Sequence, residues 1–311
     1  MSVKTVMLLG ATGTIGRATH AVLQSEGYRV IAPVRDTTAA TGLDTATLRQ
    51  ACAQDILEKE PVDAIVSCLA SRTGLDAWEV DYGLNSAVLK AAMAANVSQF
   101  VLLSAICVQK PRLAFQRAKL AFEAELQAAP LTWSIVRPTA FFKSISGQVE
   151  RLRAGKPFLL FGNGELTACK PISDRDTARY LALCLSDPDL QNRVLPVGGP
   201  GPAITPREQG TLLLEALGLQ PRFSHVPVAL MRAIIAGLTP MGVLSSKLRE
   251  KAELARIGHY YATESMLVWE EESLSYSAEN TPEFGEDRLV DHYRALAARK
   301  LEDERGAHAV F

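Results

Sequence analysis

A glycine-rich turn near the start, Gly10-Ala11-Thr12-Gly13-Thr14-Ile15-Gly16, constrains this chain more than any other stretch. It follows the apolar run Val6-Met7-Leu8-Leu9 and opens a helical pattern from Arg17 to Ser25; a second apolar run spans Tyr28 to Val34. Strand, tight turn, helix and strand in that order make a βαβ unit. Each glycine has a mechanical task within it. The first allows the sharp turn, the middle one lets backbone approach a pyrophosphate, and the last packs helix on strand. The phosphates then sit at a helix N-terminus, where N–H groups and the macrodipole favour an anion. Alone the glycine pattern is weak, but in this context it predicts dinucleotide binding.

Arg35 narrows the choice of dinucleotide. It closes the second strand, roughly 20 residues past the glycines, where an NAD enzyme places an acid for the ribose hydroxyls. A guanidinium there can grip a 2′-phosphate with a planar fork of donors, which predicts NADPH. The alternative leaves Arg35 solvated and gives the ribose to Asp36.

With 311 residues the chain can bury a sizeable core. A net charge of −1 gives no electrostatic footprint for nucleic acid. No apolar run approaches the ~18 residues of a membrane span. A strand pattern already begins by Lys4, so no signal or transit peptide is expected. The five cysteines (Cys52, Cys68, Cys107, Cys169 and Cys184) form no CxxC pair and no metal spacing, as reduced, mostly buried thiols of a cytoplasmic protein would.

Strands and helices alternate through the first half. Asp63 to Ala70 and Gln99 to Ile106 read as buried parallel strands, Trp78 to Val97 and Pro111 to Ala128 as helices, and Trp133 to Phe142 as a strand ending near Pro138. A short strand is placed near Gln50 to Ala53, with Asp55 just beyond it. This is a Rossmann-type doubly wound parallel sheet of the α/β class over residues 1–142. Residues 143–311 read as a smaller, mainly helical C-terminal substrate lobe, with a strand at Arg193 to Val197 returning to the sheet. Thr205-Pro206-Arg207-Glu208 is a helix start, with Thr as N-cap and Glu at the third position. Val226 to Leu244 is very apolar. It is either a buried helix and loop or an exposed segment that touches membrane or covers an apolar substrate.

The front half resembles the short-chain dehydrogenases, whose Tyr-x-x-x-Lys places a proton-donating phenol one helical turn from a ribose-binding lysine. Here the stretch is Phe115-Gln116-Arg117-Ala118-Lys119: the lysine stands and the phenol does not. Phenylalanine donates no proton, so ketone reduction and sugar epimerisation lose their acid–base group. Reduction of a conjugated C=C fits better, because charge spreads into the conjugated system and no phenol need protonate a carbonyl oxygen. Some acid must still deliver the second hydrogen, and Cys107 is a candidate near in sequence, though a buried thiol is its plainer reading.

Longer blocks carry a narrower resemblance. Val66 to Gly74 (VSCLASRTG), Phe100 to Leu120, Ser134 to Lys143 (SIVRPTAFFK), Ala168 to Ser173, Leu195 to Gly201 and Tyr260 to Leu267 are similar to the NADPH-dependent 3,8-divinyl chlorophyllide 8-vinyl reductases. These are atypical short-chain dehydrogenases near the NmrA and isoflavone-reductase type. The resemblance implies that NADPH reduces the 8-vinyl group of a divinyl Mg-tetrapyrrole to ethyl in chlorophyll or bacteriochlorophyll biosynthesis. It implies no protein metal site, and leaves peripheral contact with a photosynthetic membrane open. It also implies roles. Gly10, Thr12, Gly13, Thr14, Ile15 and Gly16 cradle the pyrophosphate. Asp55 and Ile56 meet the adenine, and Cys68, Leu69 and Ala70 line the ribose and nicotinamide. Ser104 and Lys119 hold the nicotinamide ribose as the catalytic pair, and Pro138, Thr139, Ala140 and Phe141 back the ring. Phe115, Phe142, Tyr260 and Tyr261 are candidates to meet the macrocycle, and Lys143 and Lys170 to meet its carboxylate. A non-catalytic NADP(H)-binding regulator, a pigment-assembly factor and a reductase of plant-phenolic type are the competing readings.

Overall fold

A computed structural model describes residues 4–35, 40–71, 74–242 and 245–299. Asp36 therefore lies outside the described residues. The first half runs β1 (Thr5–Leu9), α1 (Thr14–Ser25), β2 (Arg29–Pro33), β3 (Leu48–Arg49), α2 (Ala53–Leu57) and β4 (Ala64–Ser67). A π-helical segment, Trp78–Leu84, then continues directly into α3 (Asn85–Ala94), followed by β5 (Gln99–Leu103), α4 (Ala114–Gln127) and β6 (Thr132–Pro138). The second half contains α5 (Val149–Arg153), β7 (Phe158–Phe161), α6 (Asp174–Leu183), β8 (Arg193–Val197), α7 (Pro206–Ala216), β9 (Phe223–Val226), α8 (Val228–Met241), α9 (Ser246–Thr263), β10 (Val268–Glu270), β11 (Ser275–Ser277) and α10 (Leu289–Ala297).

Seven strands form one parallel sheet in the order β3-β2-β1-β4-β5-β6-β8. The strand order reverses between β1 and β4, and ligands of such sheets bind in the crevice beyond the strand ends at that point. Alternating strand residues feed two cores, as the two-residue period of a strand requires. Val6, Leu8, Val30, Val66, Val101 and Val136 face α1 and α6. Met7, Leu9, Ile31, Ile65, Phe100 and Ile135 face α2, α3 and α4. Both faces are thus covered, which is why these strands read as unbroken apolar runs. The returning strand falls at Arg193–Val197 as expected, with Ser134 opposite Arg193 and Pro138 opposite Val197. The helix at Thr205 also starts as expected, the threonine hydroxyl accepting from the Glu208 amide.

Three expectations need correction. The short strand near Gln50–Ala53 is instead β3 at Leu48–Arg49, and Asp55 lies on α2, where Cys52 caps the first turn through its sulfur. α4 begins at Ala114, so Pro111 precedes the helix. The cause is Gln116, whose Oε1 accepts from the amides of Arg112 and Leu113 at 2.7 and 2.8 Å and fixes the start. Finally, the buried-helix reading of Val226 to Leu244 fails over the described residues. Among the α8 residues only Met231 is buried, and Leu230 and Ile234 are about half exposed at 50% and 45%. The end of that stretch, 243–244, lies outside the described residues.

Candidate active site

The glycine turn has the geometry its sequence asks for. Gly10 has φ +73°, and a Cβ there would meet the Cys68 carbonyl oxygen at 2.8 Å. A Cβ on Gly16 would meet the Gly10 oxygen at 2.0 Å, so only glycine lets α1 approach the turn this closely. Gly13 is the N-cap of α1 and supplies no side-chain acceptor, and the first turn holds no acid. The leading amides of α1, around Thr14, Ile15 and Gly16, are therefore left for an anion. This cradle fits a dinucleotide pyrophosphate. Thr12 lies in the turn itself, its carbonyl accepting from Arg17 Nε at 3.1 Å.

The exit of β4 lies against the turn. The Cys68 amide donates to the Leu9 carbonyl at 3.0 Å, and Cys68, Leu69 and Ala70 run from half-buried to exposed beside it. Burial pushes the Cys68 thiol up to about 12, so it stays neutral and its sulfur lies 3.8 Å from Thr19 Oγ1. Arg35 is exposed just beyond the end of β2, and Asp55 is exposed on α2. Ile56 is not available to an adenine: the helical period turns it inward with Leu57 against Met7 and Ile31.

Lys119 is buried on α4, and its ammonium lies 3.0 Å from Asp81, whose side chain is fully buried. The other Asp81 oxygen accepts from the Ser71 amide at 3.3 Å, tying the pair to the β4 exit. Sequence alone does not single out Asp81, since its link to Lys119 is made across the fold and leaves no local signal. Ser104 directly follows β5, but its hydroxyl donates to Glu123, one helical turn past Lys119, and Glu123 is also gripped by Arg137. Ser104 thus anchors α4 to the sheet. Pro138, Thr139, Ala140 and Phe141 pass along the strand ends, where the Thr139 amide donates to the Val197 carbonyl and Phe141 bridges Ile172.

Next to these lies an apolar cluster that joins residues distant in sequence. Ile106, Cys107, Leu113, Tyr260 and Met266 are buried in it, with Phe115, Ala140 and Tyr261 packed against them. The Tyr260 hydroxyl donates to the Cys107 carbonyl at 2.8 Å, and Tyr261 Oη lies 3.9 Å from Cys107 Sγ. Burial raises both the Cys107 thiol and the Tyr261 phenol, so each holds its proton at neutral pH. The cluster is braced from outside. Lys110 sits 3.2 Å from the centroid of the Trp269 ring and 3.4 Å from Glu264, while Gln109 exchanges hydrogen bonds with the Leu267 carbonyl and Trp269 amide at 2.7 Å.

Three candidates for substrate contact fall elsewhere. Phe142 is buried in a separate core with Val149, Leu213 and Tyr293, because the chain turns away from the sheet after Phe141. Lys170 is buried and paired with Glu283 at 2.7 Å. Lys143 reaches back to the glycine turn, its Nζ 3.4 Å from Thr14 Oγ1. Phe115, Tyr260 and Tyr261 are the ones the fold brings together.

Among known proteins, the NAD(P)H-binding family matches residues 10–188. The fold is shared with an NADPH-dependent quinone oxidoreductase from Escherichia coli solved with NADPH, at TM-score 0.68 and 19% identity over 94% of this chain and 99% of that one. Sequence likeness is much higher to the chloroplastic divinyl chlorophyllide a 8-vinyl-reductases. That of Cucumis sativus is 44% identical over 98% of this chain and 79% of its own length, and that of Arabidopsis thaliana 44% identical over 93% and 75%. With identity at that level across nearly the whole chain, and a dinucleotide cradle beside a lysine that lacks its phenol, the chain belongs to the divinyl chlorophyllide a 8-vinyl-reductase family of NAD(P)H-binding oxidoreductases.

Proposed function

We propose that this protein reduces the 8-vinyl group of divinyl chlorophyllide, or a closely related divinyl Mg-tetrapyrrole, to ethyl with NADPH. The observation that carries the reading is the juxtaposition of a complete glycine cradle and buried Lys119 with an apolar cluster in which Phe115 stands at the phenol position. NADPH, when bound, supplies a hydride. In this reading Lys119, held by Asp81, holds the nicotinamide ribose. Phe115, Ala140 and Tyr261 form an apolar wall suited to a flat macrocycle. In this reading the residues after 142, apart from α6 and β8, which complete the nucleotide-binding layers, make up the substrate lobe. The test is anaerobic incubation of the purified protein with divinyl chlorophyllide a and NADPH, without flavin or ferredoxin, read by chromatography and mass. A gain of two hydrogens with a blue-shifted absorption is expected. Tight NADPH binding with no product, including from divinyl protochlorophyllide, would favour a regulator or assembly factor.

NADPH over NADH follows from Arg35, exposed at the end of β2. Arg35→Ala should weaken NADPH by about ten- to a hundredfold, since a charge-assisted contact is worth roughly 1.5–3 kcal/mol. NADH should be almost unaffected. Equal losses for the two in a fluorescence titration would remove Arg35 from the 2′-phosphate.

The reading extends to α8 as a peripheral membrane contact. No helix among the described residues is long and apolar enough to cross a bilayer. Val228, Met231, Ile235 and Leu238 are the more buried side of α8, leaving Leu230, Ile234, Gly237 and Met241 as an exposed stripe at helical spacing. Arg232, Lys247, Arg249 and Lys251 are exposed on α8 and the start of α9. An apolar stripe with a basic border suits an anionic lipid surface, each cation adding about 1 kcal/mol there. Flotation with phosphatidylglycerol vesicles should carry the protein, and Ile234→Glu should release it. Equal flotation of the two proteins would rule the stripe out.

A further inference from the structure

We propose that Tyr261 is the proton donor of the vinyl reduction, a phenol on α9 that takes over the task left open at Phe115. The proposal rests on the reductase reading above and deepens it. Hydride addition is only half of that reaction. The inner carbon of the vinyl group still needs a proton, and Phe115 has none to give. The fold brings a phenol back to this place from a distant helix. Phe115 and Tyr261 are both half-buried and pack against the same cluster of Ile106, Cys107, Leu113 and Tyr260. Phe115 lies one helical turn before Lys119 on α4, so the cluster borders the proposed position of the nicotinamide ribose.

Four side chains of the cluster carry an acidic proton, and three of them are unsuited to the task. The Tyr260 hydroxyl is committed to the Cys107 carbonyl at 2.8 Å, and Tyr260 and Cys107 are each only 3% exposed. Burial alone pushes the Cys169 thiol up to about 12, with no polar group beside it to steady the anion it would leave. Tyr261 keeps accessible surface. Among the described residues its hydroxyl has one hydrogen-bond partner, the Cys107 sulfur at 3.9 Å, and sulfur is a weak acceptor. The phenol proton is therefore lightly held, while the Tyr260 ring, met edge-on at 5.7 Å, fixes the Tyr261 ring in place. Burial raises the phenol, so its acid form persists through the neutral range. The step balances. The hydride adds to the terminal carbon, and the π electron pair passes to the inner carbon and the conjugated ring. That carbon forms its C–H bond as the Tyr261 O–H bond breaks. The O–H electrons stay on oxygen, the Cys107 thiol donates to the phenolate, and water returns the proton as the product leaves.

The test is Tyr261→Phe, which removes one oxygen and keeps the ring. With divinyl chlorophyllide a and NADPH, kcat should fall by about a hundredfold or more while KM and NADPH affinity hold, the pattern of an interaction made only in the transition state. The parent rate should be level from about pH 6 to 9 because the phenol stays protonated. The variant rate should fall as pH rises, because solvent must then supply the proton. Cys169→Ala should keep the parent's profile. A second readout needs no turnover. In cofactor-free protein carrying tyrosine labelled with carbon-13 at Cζ, the resonance absent from Tyr261→Phe should shift when divinyl chlorophyllide a is added. A parent-like rate and level profile in Tyr261→Phe, or a labelled resonance that ignores the substrate, would overturn the proposal. So would a Cys107→Ala variant that alone acquires the pH slope, which would move the donor to that thiol. A parent that forms no product fails the reading and the donor together. A parent that turns over beside an equally active Tyr261→Phe fails the donor alone.

Discussion

Replacing Asp81 with alanine should cost about 3–5 kcal/mol of folding stability, the loss expected when one partner of a buried ion pair is removed and the other charge stays inside. The Asp81 side chain is 0% exposed and that of Lys119 9%, so water cannot take over the role of the carboxylate. The variant also leaves the Ser71 amide without its acceptor. Chemical denaturation should show the shift in midpoint. Adding Lys119→Met should recover much of the loss, because it removes the stranded charge and leaves apolar volume. Strict additivity of the two substitutions would mean that the charges do not interact. The pair links stability to the reaction: in the parent, a charge that costs free energy to bury is kept where the nicotinamide ribose is proposed to lie.

Gly16→Ala should lower NADPH affinity by at least about a hundredfold, given that two phosphate contacts worth roughly 1.5 kcal/mol or more each are lost. A Cβ at 2.0 Å from the Gly10 carbonyl oxygen cannot be accommodated by a rotamer change, because both sides of the clash are backbone. The turn must open, and the amides at the start of α1 then lose their common focus. Isothermal calorimetry with NADPH gives the loss directly. Gly237→Ala is the matching control. It lies inside α8 with nothing within 4 Å of where its Cβ would stand, so it should leave binding alone and add up to about 1 kcal/mol of helix stability. If Gly16→Ala bound NADPH like the parent, the turn would not be the phosphate site.

What the sequence showed is what local physics encodes. Glycines at close approaches, apolar runs in strands buried on both sides and the Thr205–Glu208 cap are all properties of neighbouring residues, and each is present where expected. β3 escaped because two residues carry no period, and its place is set by pairing with Ala32 and Pro33. The inward turn of Ile56, the exposure of α8 and the reach of Lys143 depend on what packs beside them. Asp81 is the clearest omission: it sits in a π-helical turn, and only the folded chain brings it to Lys119. At the candidate site, the lysine without its phenol was legible as a gap in a known spacing. The partners that hold that lysine were not.

β8 and α6 have a consequence for modularity. The outer edge of β6 is completed by Arg193–Val197, and α1 is covered by α6, both from far beyond the glycine turn. A fragment ending near residue 142 would bare a strand edge and the part of one apolar face that α6 covers, an invitation to aggregate. The nucleotide-binding part is therefore no portable cassette. A recombination that exchanged it between relatives would have to carry everything through Val197, and with it the loop that bears Lys143. Cofactor choice and the framing of the neighbouring apolar cluster would be inherited as a single unit.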